Sequence, residues 1–129
     1  MADLTVEQIT DPKQQHIKAD VFPLMLRASS SAHMAAMLDW AAANSQTLQT
    51  QLARHGAIML RGFGLTDSDD FDALVRALGV TNFTYAESLS NAVRRNRTER
   101  VFTANEAPPS VSIYLHHEMA QCAYGAPNP

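Results

Sequence analysis

The chain has 129 residues, of which 46% are hydrophobic and 18% charged, proportions typical of a folded domain rather than a disordered chain. Ten Lys and Arg residues against thirteen Asp and Glu residues give a net charge of −3, which provides no general attraction to nucleic acid or to an anionic membrane. No apolar run approaches the roughly 20 residues that a membrane-spanning helix needs, and the first residues do not match a signal peptide. The single cysteine, Cys122, cannot form an internal disulfide, so we expect a reducing, cytoplasmic location.

Residues 1–30 are predicted to form an irregular lead-in. Val6 and Ile9 within it fit a short edge strand. The apolar run 21–26 contains Pro23 and is therefore predicted to be an extended segment or loop that packs on the body of the domain. Three serines then follow at 29–31, and their hydroxyl groups are predicted to cap the next helix.

A long helix is predicted over residues 32–54, where apolar side chains recur at helical spacing and several alanines favour the conformation. Met34, Met37 and Trp40 lie on this helix, and we expect them to pack in the core rather than to bind a ligand. Gly56 is predicted to end the helix.

A strand and a second helix are predicted next. The continuous apolar run 57–60 is too short for a helix and indicates a buried strand. Thr66 or Asp67 is predicted to cap a helix over residues 69–78. Its apolar side chains have the spacing of one buried stripe and are Phe71, Leu74, Val75 and Leu78.

Residues 80–110 are less regular, with short strands predicted at 81–85 and 101–103 and a proline-containing connection at 106–109. Four arginines lie within seven positions, at Arg94, Arg95, Arg97 and Arg100. A solvated loop is the favoured interpretation of this cluster. The alternative is a site that holds an anionic substrate or co-substrate.

The predicted site lies in the stretch 111–119. Apolar and polar residues alternate there, which is the pattern of a strand with two unlike faces: Val111, Ile113 and Leu115 against Ser112, Tyr114 and His116. Glu118 continues the face of His116, so the His-x-Glu spacing directs an imidazole and a carboxylate to the same side. These are two of the three ligands in a 2-His-1-carboxylate iron site. The alternative is a chance triplet whose side chains are solvated or satisfied by hydrogen bonds.

Three stretches follow one another in a recognisable order: LARHGAIMLRGF at 52–63, VFTANEAPP at 101–109 and IYLHHEM at 113–119. The first stretch resembles one of the two sequence blocks that mark the taurine dioxygenase and clavaminate synthase-like family. The second and third stretches together resemble the other block. The similarity runs from about residue 50 to the last residue.

The resemblance implies an α+β fold over residues 1–129: the N-terminal, incomplete part of a double-stranded β-helix (jelly-roll) with flanking helices. It implies Fe(II) as the metal, 2-oxoglutarate as co-substrate, O₂ as oxidant and a small molecule as substrate. His116 and Glu118 match the metal ligands of the family. Ser112 and Tyr114, predicted on the same strand face, are expected to contact the substrate.

The family's second histidine ligand and the arginine that binds 2-oxoglutarate lie well beyond the His-x-Glu block. The other histidines before this block, His16, His33 and His55, do not match that position, and none follows His117. We therefore expect the N-terminal portion of an oxidoreductase that turns over poorly or not at all alone and needs self-association or the missing C-terminal half. The alternatives are a catalytically inactive remnant that acts only with a partner chain, and a small binding module that uses the arginine cluster.

Overall fold

The computed structural model describes residues 4–29, 33–82, 94–104 and 106–116. The chain divides into two compact units, residues 1–79 and 80–129. Within the described ranges, all seven helices and strands belong to the first unit. The described residues therefore confirm the α+β class, whereas the double-stranded β-helix stays a prediction. Among the described residues, neither helix contains an apolar stretch of the length that a lipid bilayer requires.

A three-stranded sheet is the framework of the first unit. The central strand, β4 (Leu24–Ala28), runs antiparallel to β1 (Val6–Ile9) and parallel to β5 (Ile58–Arg61). Three of the five residues of β4 are buried, as expected for a strand with a neighbour on each side. The short edge strand predicted around Val6 is confirmed.

A hairpin of β2 (Gln15–Ile17) and β3 (Asp20–Phe22) forms a separate two-stranded sheet. Two side chains near the end of the helix predicted over residues 32–54 form contacts with this hairpin. Arg54 Nε donates to Asp20 at 2.6 Å, and His55 Nδ1 lies 2.7 Å from the carbonyl oxygen of Val21.

The irregular lead-in predicted over residues 1–30 is wrong for residues 4–28, which hold four strands. Pro23 lies between β3 and β4, where its missing N–H interrupts neither strand. The next residue, Leu24, already pairs with the following strand region, since its N–H donates to the carbonyl of Ala57 at 2.9 Å. The proline therefore marks a boundary between two strands rather than a loop.

The long helix α1 spans Met34–His55, within two residues of the prediction at each end. Its N-cap residue is His33, whose side chain makes no capping hydrogen bond, so the predicted serine cap is wrong. Ser29 instead accepts a hydrogen bond from the Thr5 amide at 3.2 Å. The predicted C-terminus is confirmed: Gly56 adopts φ 75°, a left-handed conformation that glycine takes without steric cost, and its N–H bonds to the carbonyl of Leu52.

The core of the first unit forms where α1 covers the sheet. Met37, Ala28 and Phe63 are each only 4% exposed and pack together, with Leu4, Val6, Trp40 and Leu60 around them. The rings of Trp40 and Phe63 are tilted by 54° with centroids 5.4 Å apart, a favourable aromatic geometry. The core prediction is confirmed for Met37 and for the partly buried Trp40, whereas Met34 is half-buried and is not part of this cluster.

The strand predicted at 57–60 is present as β5, but it is not fully buried. Ile58 and Leu60 are half-buried, whereas Met59 is exposed, because β5 lies at an edge of the sheet. Gly62 follows with φ 74°, and a Cβ there would lie 3.0 Å from the carbonyl oxygen of Ala28. This close approach requires glycine.

The second helix, α2, spans Ser68–Ala77, and its predicted cap is confirmed. The Asp67 carboxylate accepts the backbone N–H groups of Asp69 and Asp70, each at 2.9 Å. The predicted apolar stripe is only partly right, since Leu74 is buried but Phe71 is 47% exposed.

The start of α2 contains one carboxylate whose protonation should affect stability. The hydroxyl and the amide of Thr66 donate to Asp70 Oδ2 at 2.7 and 2.9 Å, and they hold the pKa of Asp70 below its usual value. A lowered folded-state pKa means that this stabilisation is present above the pKa of the unfolded chain and is lost as pH falls through the folded-state pKa.

Thr66→Val removes the hydroxyl and should therefore raise the pKa of Asp70 toward its ordinary value. An NMR titration of the Asp70 carboxyl carbon measures this change. Thr50→Val removes an exposed hydroxyl that bonds to the Gln46 carbonyl within α1 and should leave the pKa of Asp70 unchanged. An unaltered Asp70 titration in Thr66→Val would contradict the assignment.

The described residues of the second unit carry less regular structure than predicted. The strand expected at 101–103 reduces to one antiparallel bridge between Asn96 and Phe102. Residues 81–82 form no strand, and 83–85 lie outside the described residues.

The strand predicted at 111–119 is wrong for residues 111–116, which are irregular, and 117–119 lie outside the described residues. Val111 and Ile113 are more than half exposed, and Leu115 is fully exposed. A strand requires hydrogen bonds to a neighbour, and no strand within the described ranges pairs with this segment. The alternating pattern is present in the sequence, but the pairing that it needs is not made there.

Candidate functional site

His116 lies in the exposed segment 111–116, and its ring orientation is fixed locally. The ring Nδ1 lies 2.7 Å from the backbone carbonyl oxygen of Tyr114. A carbonyl oxygen only accepts hydrogen bonds, so this contact is a hydrogen bond in the forms of the ring that carry a proton on Nδ1. Metal-binding histidines usually have this arrangement, with one ring nitrogen held by a carbonyl and the other directed to the metal. The local geometry of His116 therefore fits a metal ligand.

The other predicted site residues are not brought together by the described structure. Ser112 and Tyr114 are exposed, and Glu118 lies outside the described residues. Because 111–116 is not a strand, alternation no longer places Ser112, Tyr114 and His116 on one face. Within the described ranges, no three His, Cys, Asp or Glu side chains form a group that could hold a metal ion. The metal and substrate assignments therefore stay predictions.

The arginine cluster forms part of a hairpin rather than an unstructured loop. The Arg97 N–H donates to the Val101 carbonyl at 2.7 Å, and the Thr103 N–H donates to the Arg95 carbonyl at 2.9 Å. The Arg95 N–H completes the second pair by donating to Thr103 Oγ1 at 3.0 Å. Arg95 and Arg97 are nevertheless exposed, as the prediction of a solvated cluster requires.

One bridge lies at the centre of this hairpin. Asn96 and Phe102 form it, and the guanidinium of Arg94 lies 5.9 Å from the centre of the Phe102 ring. Arg95, Arg97, Val101 and Thr103 belong to the two backbone-bonded pairs that flank this bridge.

An ion pair connects the hairpin to the segment that leads toward His116. Arg95 Nε lies 3.0 Å from Glu106, and the Val111 N–H donates to the Pro108 carbonyl at 2.9 Å. The sequence pattern identified the arginines but not the roles of Glu106, which pairs with Arg95, and of Thr103, which bonds to the Arg95 backbone. Glu106 was a general signal, as an acidic residue after several arginines, but the sequence does not show which arginine it pairs with.

Comparisons with known proteins give two relatives. The chain is 35% identical over 128 residues to a clavaminate synthase-like protein of Arabidopsis thaliana, covering 94% of this chain and 38% of that protein. It is 32% identical over 69 residues to the dapdiamide synthesis protein DdaC of Enterobacter agglomerans, covering 54% of this chain and 20% of that protein. No family model matches the chain. The chain thus spans well under half the length of either relative.

Proposed function

We propose that this chain is part of an Fe(II)/2-oxoglutarate-dependent oxygenase that oxidises a small molecule. The observation that carries the proposal is the similarity to the Arabidopsis clavaminate synthase-like protein over 94% of the chain. That description names the same family that the stretches at 52–63 and 101–119 resemble. A reducing cytoplasm, which would keep iron as Fe(II), is part of the proposal.

Two residues of this chain are proposed to hold the iron. His116 would bind through Nε2, the ring nitrogen that is not in contact with the Tyr114 carbonyl, and Glu118 through its carboxylate. Imidazole and carboxylate ligands suit Fe(II) and leave coordination positions for small molecules. With Fe(II) and 2-oxoglutarate bound, such a site would supply the activation of O₂. Ser112 and Tyr114 are proposed to contact the substrate.

Further groups are needed to complete such a site. The sequence contains no histidine after His117, and the chain spans 38% of the Arabidopsis protein. We propose that the second histidine ligand and the arginine for 2-oxoglutarate come from residues equivalent to the remainder of that relative. Self-association of this chain is the other way to bring more ligands to one site.

A fusion tests the proposal directly. In it, the 129 residues replace the matched portion of the Arabidopsis protein and precede the remainder of that protein. We expect the fusion to form succinate from 2-oxoglutarate in the presence of Fe(II) and O₂. The 129-residue chain alone should stay near the background rate of free Fe(II).

The controls separate this proposal from the remnant hypothesis. His116→Ala and Glu118→Ala should reduce succinate formation by the fusion to background, whereas the exposed His33→Ala should not. Succinate formation that persists in His116→Ala would overturn the assignment. A folded fusion without activity would favour an inactive remnant, and substrate-dependent succinate formation by the chain alone would show that no further residues are needed.

A further inference from the structure

The hairpin of residues 95–103 groups two exposed arginines with a threonine. Arg95 and Arg97 flank the bridge residue Asn96, and both are exposed. Thr103 pairs with Arg95: its N–H donates to the Arg95 carbonyl at 2.9 Å, and its Oγ1 accepts the Arg95 N–H at 3.0 Å. Because Oγ1 is the acceptor in that contact, the hydroxyl hydrogen is left to donate to a ligand.

The two guanidinium groups and the threonine hydroxyl suit an oxoanion as ligand. A guanidinium presents a planar fork of N–H donors that matches the oxygens of a carboxylate or a phosphate. Between residues 94 and 104 the chain has four arginines and one glutamate, although its net charge is −3. Positive charge is therefore concentrated at this hairpin, which would attract small anions to it.

Glu106 shows that a carboxylate can bind to Arg95 in this hairpin. Its carboxylate lies 3.0 Å from Arg95 Nε, and the side chains of Arg95 and Glu106 are 75% and 33% exposed. Exposed ion pairs are weak, so a ligand can compete with this one. Within the described part of the chain, the Arg97 guanidinium makes no ion pair and is exposed.

We propose that Arg95, Arg97 and Thr103 form a binding site for the carboxylate or phosphate group of a small molecule, with Glu106 as an internal competitor. The site does not depend on the proposed iron chemistry, because none of its residues is assigned to the metal. It assigns a role to the arginine cluster that a solvated loop would not have.

The test is an NMR titration of the 129-residue chain with succinate and, separately, with inorganic phosphate, at constant ionic strength set with chloride. We expect saturable shifts of the amides of residues 95, 97 and 103 and of the arginine Nε–H signals. Arg97→Ala should weaken binding about tenfold, because it removes a charge-assisted contact. Glu106→Gln should strengthen binding about two- to fivefold, because it removes the competing carboxylate.

Matched controls make the outcomes distinct. Arg61→Ala removes another exposed arginine, in β5, and should leave binding unchanged. The double variant His116→Ala/Glu118→Ala should also bind normally, so this site and the proposed iron site can fail separately. Saturation by succinate identifies a carboxylate site, and saturation by phosphate alone identifies a phosphate site. Non-saturable shifts, or equal binding by Arg97→Ala in a chain with an otherwise unchanged spectrum, would overturn the proposal.

Discussion

Replacing His116 with alanine is expected to weaken Fe(II) binding by the fusion protein by about 100-fold or more, since even partners that only orient a metal ligand contribute 10- to 100-fold in affinity. The Nδ1 atom of His116 contacts the Tyr114 carbonyl, an arrangement common in histidines that bind a metal through Nε2. Anaerobic calorimetric titration with Fe(II) measures the affinity.

His33→Ala is the matched control for this prediction. His33 is an exposed histidine whose side chain makes no capping bond at the start of α1. Its replacement should leave Fe(II) affinity within about twofold, the scale expected for a surface substitution that removes no ligand. Equal affinities in the His116→Ala and unmodified proteins would exclude His116 as a ligand.

The second large effect concerns the stability of the first unit. Phe63→Ala should reduce the free energy of unfolding by about 3–5 kcal/mol, because it leaves a cavity beside buried Met37 and removes the ring contact with Trp40. Phe71→Ala makes the same chemical change at a side chain that is 47% exposed, so it should cost less than about 1.5 kcal/mol.

Urea unfolding of the two variants, followed by circular dichroism, tests this difference. Trp40 fluorescence serves as a second probe, because the Trp40 ring packs on Phe63. A similar loss of stability in both variants would contradict the placement of Phe63 in the core and Phe71 at the surface.

The local signals in the sequence predicted the two helices well. Asp67 before a run of acidic residues caps α2, and Gly56 after Arg54 and His55 ends α1. These features depend on residues within a few positions of one another, so they can be identified without knowing the rest of the fold. The predicted serine cap is wrong because the N-cap residue is His33, and Ser29 accepts a hydrogen bond from Thr5, which is distant in sequence.

Strands depend on partners that the sequence pattern does not identify. Pro23 suggested a loop, yet it separates two strands that join different sheets. The alternation at 111–116 suggested a strand, yet those residues lack a pairing neighbour within the described structure and stay exposed. The same limit applies to the site, because the His-x-Glu spacing defines a shared face only where a strand forms.

The arginine cluster shows how a charged segment can be more ordered than its composition indicates. Charge alone favoured a solvated loop, and Arg95 and Arg97 are indeed exposed, whereas Arg94 and Arg100 are half-buried. The order comes from backbone bonds between Arg95 and Thr103 and from the ion pair with Glu106, neither of which charge patterning predicts. The residues that would have indicated this order are Thr103 and Glu106.

His116 and Glu118 are proposed to bind Fe(II) in a site that also takes 2-oxoglutarate. Anaerobic titration of the fusion protein with Fe(II) and 2-oxoglutarate, followed by visible absorbance, tests this assignment. We expect a weak metal-to-ligand charge-transfer band that disappears in His116→Ala and in Glu118→Ala and persists in His33→Ala. A folded fusion that gives no band, or a band of equal strength in His116→Ala, would show that these residues do not bind the metal.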